Sequence, residues 1–318
     1  MIAPAWLEAA MASLQKAHRT QRMPHALLIH DAPGAGGAWL ASWVAQLMLC
    51  TSSAPRPCGL CRTCAQVQQG RHPDLIAIGL IDDSQQIRID QIRELAGELA
   101  LTSHQGGYKV AILDPADALN PFAANALLKT LEEPTADTML ILVAVQPSRL
   151  PATIVSRCQR IRVSRPTREQ SLTWLEANRG AGDWGAVLDV IGEAPFAAAG
   201  LDPARIAELR TETLRALEEA RSGAGDPMAI AERWSRSDLP LRLACVENWL
   251  TQCIERSLAP TPHSTEVRSG AHTRAPDSVI NSRDLFHVLD RVHELKAALN
   301  TPINRSLALD SLLRSLRT

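Results

Sequence analysis

A chain of 318 residues is long enough for two or three domains with sizeable cores. A formal net charge of −1 gives no overall pull toward DNA or an acidic membrane, which argues against a free-standing DNA binder but not against a part of a DNA-handling complex. No uninterrupted apolar run approaches the roughly 20 residues of a membrane span, so no membrane partner is expected.

The first segment, MIAPAWLEAAMASLQKAHRTQ, has the pattern of an amphipathic helix. It lacks the basic start and long apolar centre of a signal peptide, so a cytoplasmic location is expected. Apolar runs then predict strands at Ala26–His30, Asp74–Ile78, Lys109–Leu113, Met139–Val143 and Gln159–Val163. Helices are predicted between them at Gly37–Leu49, Asp90–Leu101 and Pro121–Glu132. Strand and helix in alternation indicate a mostly parallel sheet with helices on both faces, and short continuous apolar strands suit burial on both sides. After about Ser164 the pattern turns wholly helical. A small helical unit ends near Gly200, and a larger one begins at LDPARIAELRTETLRALEEAR. Two apolar stripes follow, one over Leu285, Val288, Leu289, Val292, Leu295 and Leu299, the other over Leu309, Leu312, Leu313 and Leu316. Between the helices, Leu258–Ser278 is polar and rich in Pro, Ser and Thr, and is expected to be a mobile loop.

HDAPGAGGAWLASW, His30–Trp43, has the outline of a phosphate-binding loop without its chemistry. The motif G-x-x-x-x-G-K-[ST] places Lys on the β/γ-phosphates and a hydroxyl on magnesium. Here Asp31 stands at the first Gly, and Gly34 and Gly36 keep the loop glycine-rich. Gly37 replaces the Lys and Ala38 the hydroxyl. The strand Lys109–Leu113 leads to Asp114, where a magnesium-holding acid would sit, but Pro115 takes the place of the carboxylate that orients water. Without a loop Lys or hydroxyl, Asp114 is better explained as a strand-end cap.

Cys50, Cys58, Cys61 and Cys64 are spaced C-x7-C-x2-C-x2-C. In a reducing compartment such clustering points to metal rather than disulfides. Four thiolates hold zinc tetrahedrally and leave no open position, so a structural site is expected. Four ordinary reduced thiols, or a redox C-x-x-C pair, are the alternatives. His72 follows closely, but four cysteines already saturate the ion. Cys158, Cys245 and Cys253 are scattered and expected to be packing residues.

RMPHALLIHDAPG, the four-cysteine insertion, ANALLKTLEEP (Ala124–Pro134) and the SRC of Ser156–Cys158 occur in one order. That order resembles the bacterial DNA polymerase III clamp loader, an AAA+ family. The resemblance covers nearly the whole chain and is most specific from Pro24 to Cys158. It implies an α/β AAA+-type P-loop core, a small helical domain and a C-terminal helical collar domain. The corresponding boundaries are 1–163, with the zinc-binding insertion at about 50–64, then 164–203 and 204–318. The family's polar sensor falls at Val145 and its second, an Arg, at Pro195. With Gly37, Ala38 and Pro115 these make five departures around one nucleotide, so the resemblance implies a subunit that neither binds nor hydrolyses ATP in its own site. It also implies that Arg157 enters a neighbour's ATP site as an arginine finger. The implied partners are the delta and gamma/tau subunits, with the sliding clamp and primed DNA reached through the complex. In ANALLKTLEEP, Leu127, Leu128 and Leu131 suit a helix face, while Lys129, Glu132 and Glu133 suit either a solvated face or subunit contacts. A gamma/tau-type ATPase with a non-standard site and a zinc-bearing DNA-binding adaptor are the rival readings.

Overall fold

The structure is a computed structural model that describes residues 2–53, 55–81, 84–258, 282–299 and 303–317. All of Leu258–Ser278 beyond Leu258 lies outside the described residues, so the expected loop goes undescribed. The chain divides into two compact units, Met1–Gly180 with Glu193–Gly200, and Ala181–Gly192 with Leu201–Thr318.

The first unit opens with α1 (Glu8–Arg19), β1 (Ala26–His30) and α2 (Gly37–Leu49), followed by α3 (Arg62–Gln68) and β2 (Leu75–Ile78). Next come α4 (Ile89–Ala100), β3 (Lys109–Leu113), α5 (Pro121–Glu132), β4 (Thr138–Ala144), α6 (Ala152–Val155), β5 (Gln159–Arg162) and α7 (Arg168–Arg179). The strands form one parallel sheet in the order β2-β3-β4-β1-β5. Successive residues of a strand face opposite sides. Leu27 and Ile29 of β1 therefore join Leu40, Val44 and Leu47 of α2, while Leu28 joins Leu95, Leu127 and Leu131 on the other side. Asn120 and Pro121 fix the start of α5, the Asn side chain accepting from the Ala123 N–H at 2.8 Å.

The expectation of strands buried on both faces needs correcting at both edges of the sheet: β2 is only partly buried, with Ala77 exposed. β5 is not buried on both faces: Gln159, Arg160 and Arg162 are exposed, because the strand is the edge of the sheet and pairs only with β1. Its polar sequence follows from that position, since charged side chains on an edge strand discourage pairing with other chains. The other predicted strands and helices agree with the structure to within a residue at each end.

The second unit holds α8 (Trp184–Ile191); α9 (Pro195–Ala198) returns to the first unit. The second unit continues with α10 (Pro203–Ser222), α11 (Pro227–Arg236), α12 (Leu239–Leu258), α13 (Ser282–Ala298) and α14 (Arg305–Arg314). Both predicted apolar stripes face its core: Leu285, Val288, Val292 and Leu295 of the first are buried, as are Leu309, Leu312, Leu313 and Leu316 of the second. They pack with Trp234, Leu243, Val246 and Leu250. Arg242 is buried too, its guanidinium bonded to Glu212 and to the Thr213 hydroxyl, both at 3.1 Å. The apolar periodicity of α12 gives no sign of this Arg.

Candidate functional site

The loop between β1 and α2 makes the turn its glycines require. Gly34 has φ +70° and Gly36 φ +109°, both in the region that favours glycine. The space above it is taken by the chain's own atoms. A Cβ added to Gly36 would lie 2.4 Å from the ring of Phe196 in α9. The Phe196 N–H donates to the Gly34 carbonyl at 3.0 Å, and the Trp6 indole N–H donates to the Ala35 carbonyl at 2.8 Å. Phe196 also packs on Trp174 of α7, with ring centroids 4.5 Å apart and planes tilted by 38°. Pro195, where the second sensor was expected, is buried beside it. Phe196 escaped the sequence reading, because only the fold brings α9 onto the loop.

Asp31 explains why Gly37 can be nothing larger. A Cβ on Gly37 would meet the Asp31 Cβ and Cγ at 2.6 Å. The Gly37 N–H, which in a working loop faces phosphate, lies close enough to the Asp31 carboxyl to stabilise its charged form, while Asp31 Oδ1 is buried with no hydrogen-bond partner. Asp31 is buried. Burial pushes its pKa up to about 6, against the opposing effect of the Gly37 N–H and with a smaller push from the Asp114 carboxylate. Asp114 lies just past β3, and it too is raised, by burial first and then by Asp117. Val145 follows the end of β4, half-exposed, with no polar group to offer a phosphate.

Cys50 closes α2, Cys58 and Cys61 lie on the following loop, and Cys64 sits in the first turn of α3. Their sulfurs all lie within 4.8 Å of one another. Cys50 Sγ is 3.6 Å from that of Cys58 and 3.9 Å from that of Cys61, and the Cys58 and Cys64 sulfurs are 4.0 Å apart. Metal–sulfur bonds of about 2.3 Å in a tetrahedron give edges of about 3.8 Å, so the donor set fits a metal of that size. The Cys61 N–H donates to Cys58 Sγ at 3.3 Å and the Cys64 N–H to Cys61 Sγ at 3.4 Å. Backbone amides favour thiolate at two of the four: those of Leu60 and then Cys61 lower the Cys58 thiol, and that of Cys64 brings Cys61 down to about 6, whereas burial pushes the Cys64 thiol up. His72 stands apart from the four; its Nδ1 accepts from the Asp74 N–H at 3.0 Å.

Arg157 follows the short α6 and precedes β5. Cys158 beside it is buried and anchors the turn, its thiol pushed up by burial to about 11. Ser156 donates its hydroxyl to the Thr153 carbonyl at 3.1 Å. The Arg157 side chain remains about one-third exposed. Its Nη2 lies 2.6 Å from Oε1 of Glu132, and its Nη1 donates to the Thr153 carbonyl at 3.0 Å.

Comparison with known proteins places these features in one family. Residues 6–167 match the family model described as DNA polymerase III, delta subunit. The DNA polymerase III subunit delta' of Pseudomonas aeruginosa is 36% identical over 229 residues, covering 71% of this chain and 70% of that protein. The Escherichia coli subunit of the same name is 29% identical over 317 residues, covering 97% and 93%. A gamma subunit-related protein of DNA polymerase III from Thermotoga maritima has the same fold, with a TM-score of 0.56 at 16% identity over 96% of this chain and 98% of that one.

Proposed function

Because the chain belongs to the delta-prime family of DNA polymerase III clamp-loader subunits, we propose that it is a non-hydrolysing subunit that completes a neighbour's ATP site. The observation that carries this reading is the filled phosphate loop. The Asp31 side chain packs against Gly37 and Phe196 covers Gly36, so the space a phosphate would need is filled within the chain. Gly37, Ala38 and Pro115 supply neither the cation, the magnesium hydroxyl nor the water-orienting carboxylate that hydrolysis needs. The loop persists as a structural joint between β1 and α2.

What the chain contributes is Arg157. Phosphoryl transfer spreads negative charge over the γ-phosphate oxygens, and a planar, permanently charged guanidinium meets that charge from a neighbouring subunit. In other nucleotidases a finger of this kind is worth roughly 10³–10⁵ in rate. The partners in this reading are the delta and gamma/tau subunits, joined through a collar formed by residues 204–318, with residues 164–203 as a small helical domain. The complex acts in the cytoplasm and places the sliding clamp on primed DNA. Cys50, Cys58, Cys61 and Cys64 would hold one zinc ion, which would brace the turn between α2 and α3 and take no part in the chemistry.

The test is reconstitution with the delta and gamma/tau subunits. Arg157→Ala should assemble normally, slow ATP hydrolysis at one interface and impair clamp loading. Arg157→Lys should rescue little, because an ammonium lacks the guanidinium fork. Wild-type hydrolysis and loading with Arg157→Ala would reduce Arg157 to a surface residue.

A further inference from the structure

Glu132 has no role in packing its own helix. On α5, Leu127 and Leu131 are buried, whereas Glu132 ends the helix with a half-exposed carboxylate. An acid in that position lies at the negative end of the helix dipole, where a cation is favoured. It has instead gathered a cation from another element, with Oε1 lying 2.6 Å from Nη2 of Arg157. Nη1 of the same guanidinium is taken by the Thr153 carbonyl at 3.0 Å. Two acceptors, one from α5 and one from α6, therefore hold both ends of the fork against the chain that carries it.

We propose that Glu132 is a positioning residue, a holding carboxylate that keeps Arg157 retracted until the γ-phosphate of ATP in the neighbouring subunit takes its place. This rests on the reading of Arg157 as a finger in trans. The exchange suits the chemistry, since carboxylate and phosphate both offer paired oxygens to the guanidinium fork. The energetics suit it too. The two side chains are 36% and 49% exposed, and an ion pair so open to water biases a side chain by no more than about fivefold. That is enough to set a resting orientation, and little enough to be surrendered to a triphosphate in a closed, drier interface.

Glu132→Gln keeps the shape of the side chain and removes its charge. In the reconstituted complex, ATP hydrolysis without DNA should rise at this interface by up to about fivefold. The DNA-stimulated rate should change little, so the ratio of stimulated to basal rate falls. Glu132→Asp should restore most of that ratio. In the Arg157→Ala background, Glu132→Gln should add nothing. Melting temperature and co-elution of the complex are followed for every variant, because a merely structural defect would lower both rates together. If Arg157→Ala slows hydrolysis but Glu132→Gln leaves the ratio unchanged, the finger stands and the holding role is wrong. Equal loss of both rates with Glu132→Gln would also overturn it. If Arg157→Ala has no effect, the finger reading fails and the holding role fails with it.

Discussion

Asp31 carries the clearest pH signature at the scale of single residues. Its carboxyl titrates near pH 6 in the folded chain, above its ordinary value of 3.8. Between those values the folded state keeps a proton that the unfolded state has lost. Its contribution to stability is therefore fully present below about pH 4 and is lost as pH rises through 6, a change of about 2–3 kcal/mol. Asp31→Asn should remove this part of the slope, raising stability near pH 7.5 while changing little near pH 4. Urea denaturation of both chains across that range checks it, and parallel curves would show that Asp31 is not the titrating group. Asp114, raised in the same direction, keeps its own share of the slope. The sequence marked Asp31 only as the residue in place of a glycine. Its pairing with Gly37 became visible once the turn folded the two together.

Among the elements, the turn from α2 to α3 carries the four cysteines proposed to hold zinc. The cysteine spacing made the site legible, and the structure adds the amides that favour thiolate at Cys58 and Cys61. Protein purified without added zinc should carry about one equivalent by elemental analysis, and a fully folded metal-free chain would remove the claim. Cys58→Ser should loosen this turn and speed proteolysis there, leaving the sheet intact, since the ligands lie outside β1–β5. β5 shows what a pattern of apolar residues misses. Its run QRIR looked like one more buried strand, but whether a strand is central or at the edge depends on sheet order, which no local window contains.

For the whole molecule, the expectation is an isolated chain without ATPase activity. Purified protein should show no turnover above background and no equilibrium binding of labelled ATP, and turnover surviving rigorous purification would contradict the proposed function. Gly37→Lys alone should not create activity, because the new side chain would start 2.6 Å from Asp31, and the site would still lack the magnesium hydroxyl and the water-orienting carboxylate. Mixed with its partner subunits, the same inactive chain should enable DNA-stimulated hydrolysis by the complex. The sequence by itself determined the alternation of strands and helices, the two apolar stripes of the second unit, the four cysteines and the losses at Gly37, Ala38 and Pro115. Each of these is a property of residue type and spacing along the chain, which local periodicity and ligand chemistry are enough to read. Only the tertiary structure decided that Phe196 covers Gly36, that Asp31 packs against Gly37 and that Glu132 pairs with Arg157. Phe196 and Gly36 are far apart in sequence, as are Glu132 and Arg157, and Asp31 meets Gly37 only where the backbone turns. Such contacts exist only after the sheet has set its strand order and drawn its connections together at the strand ends.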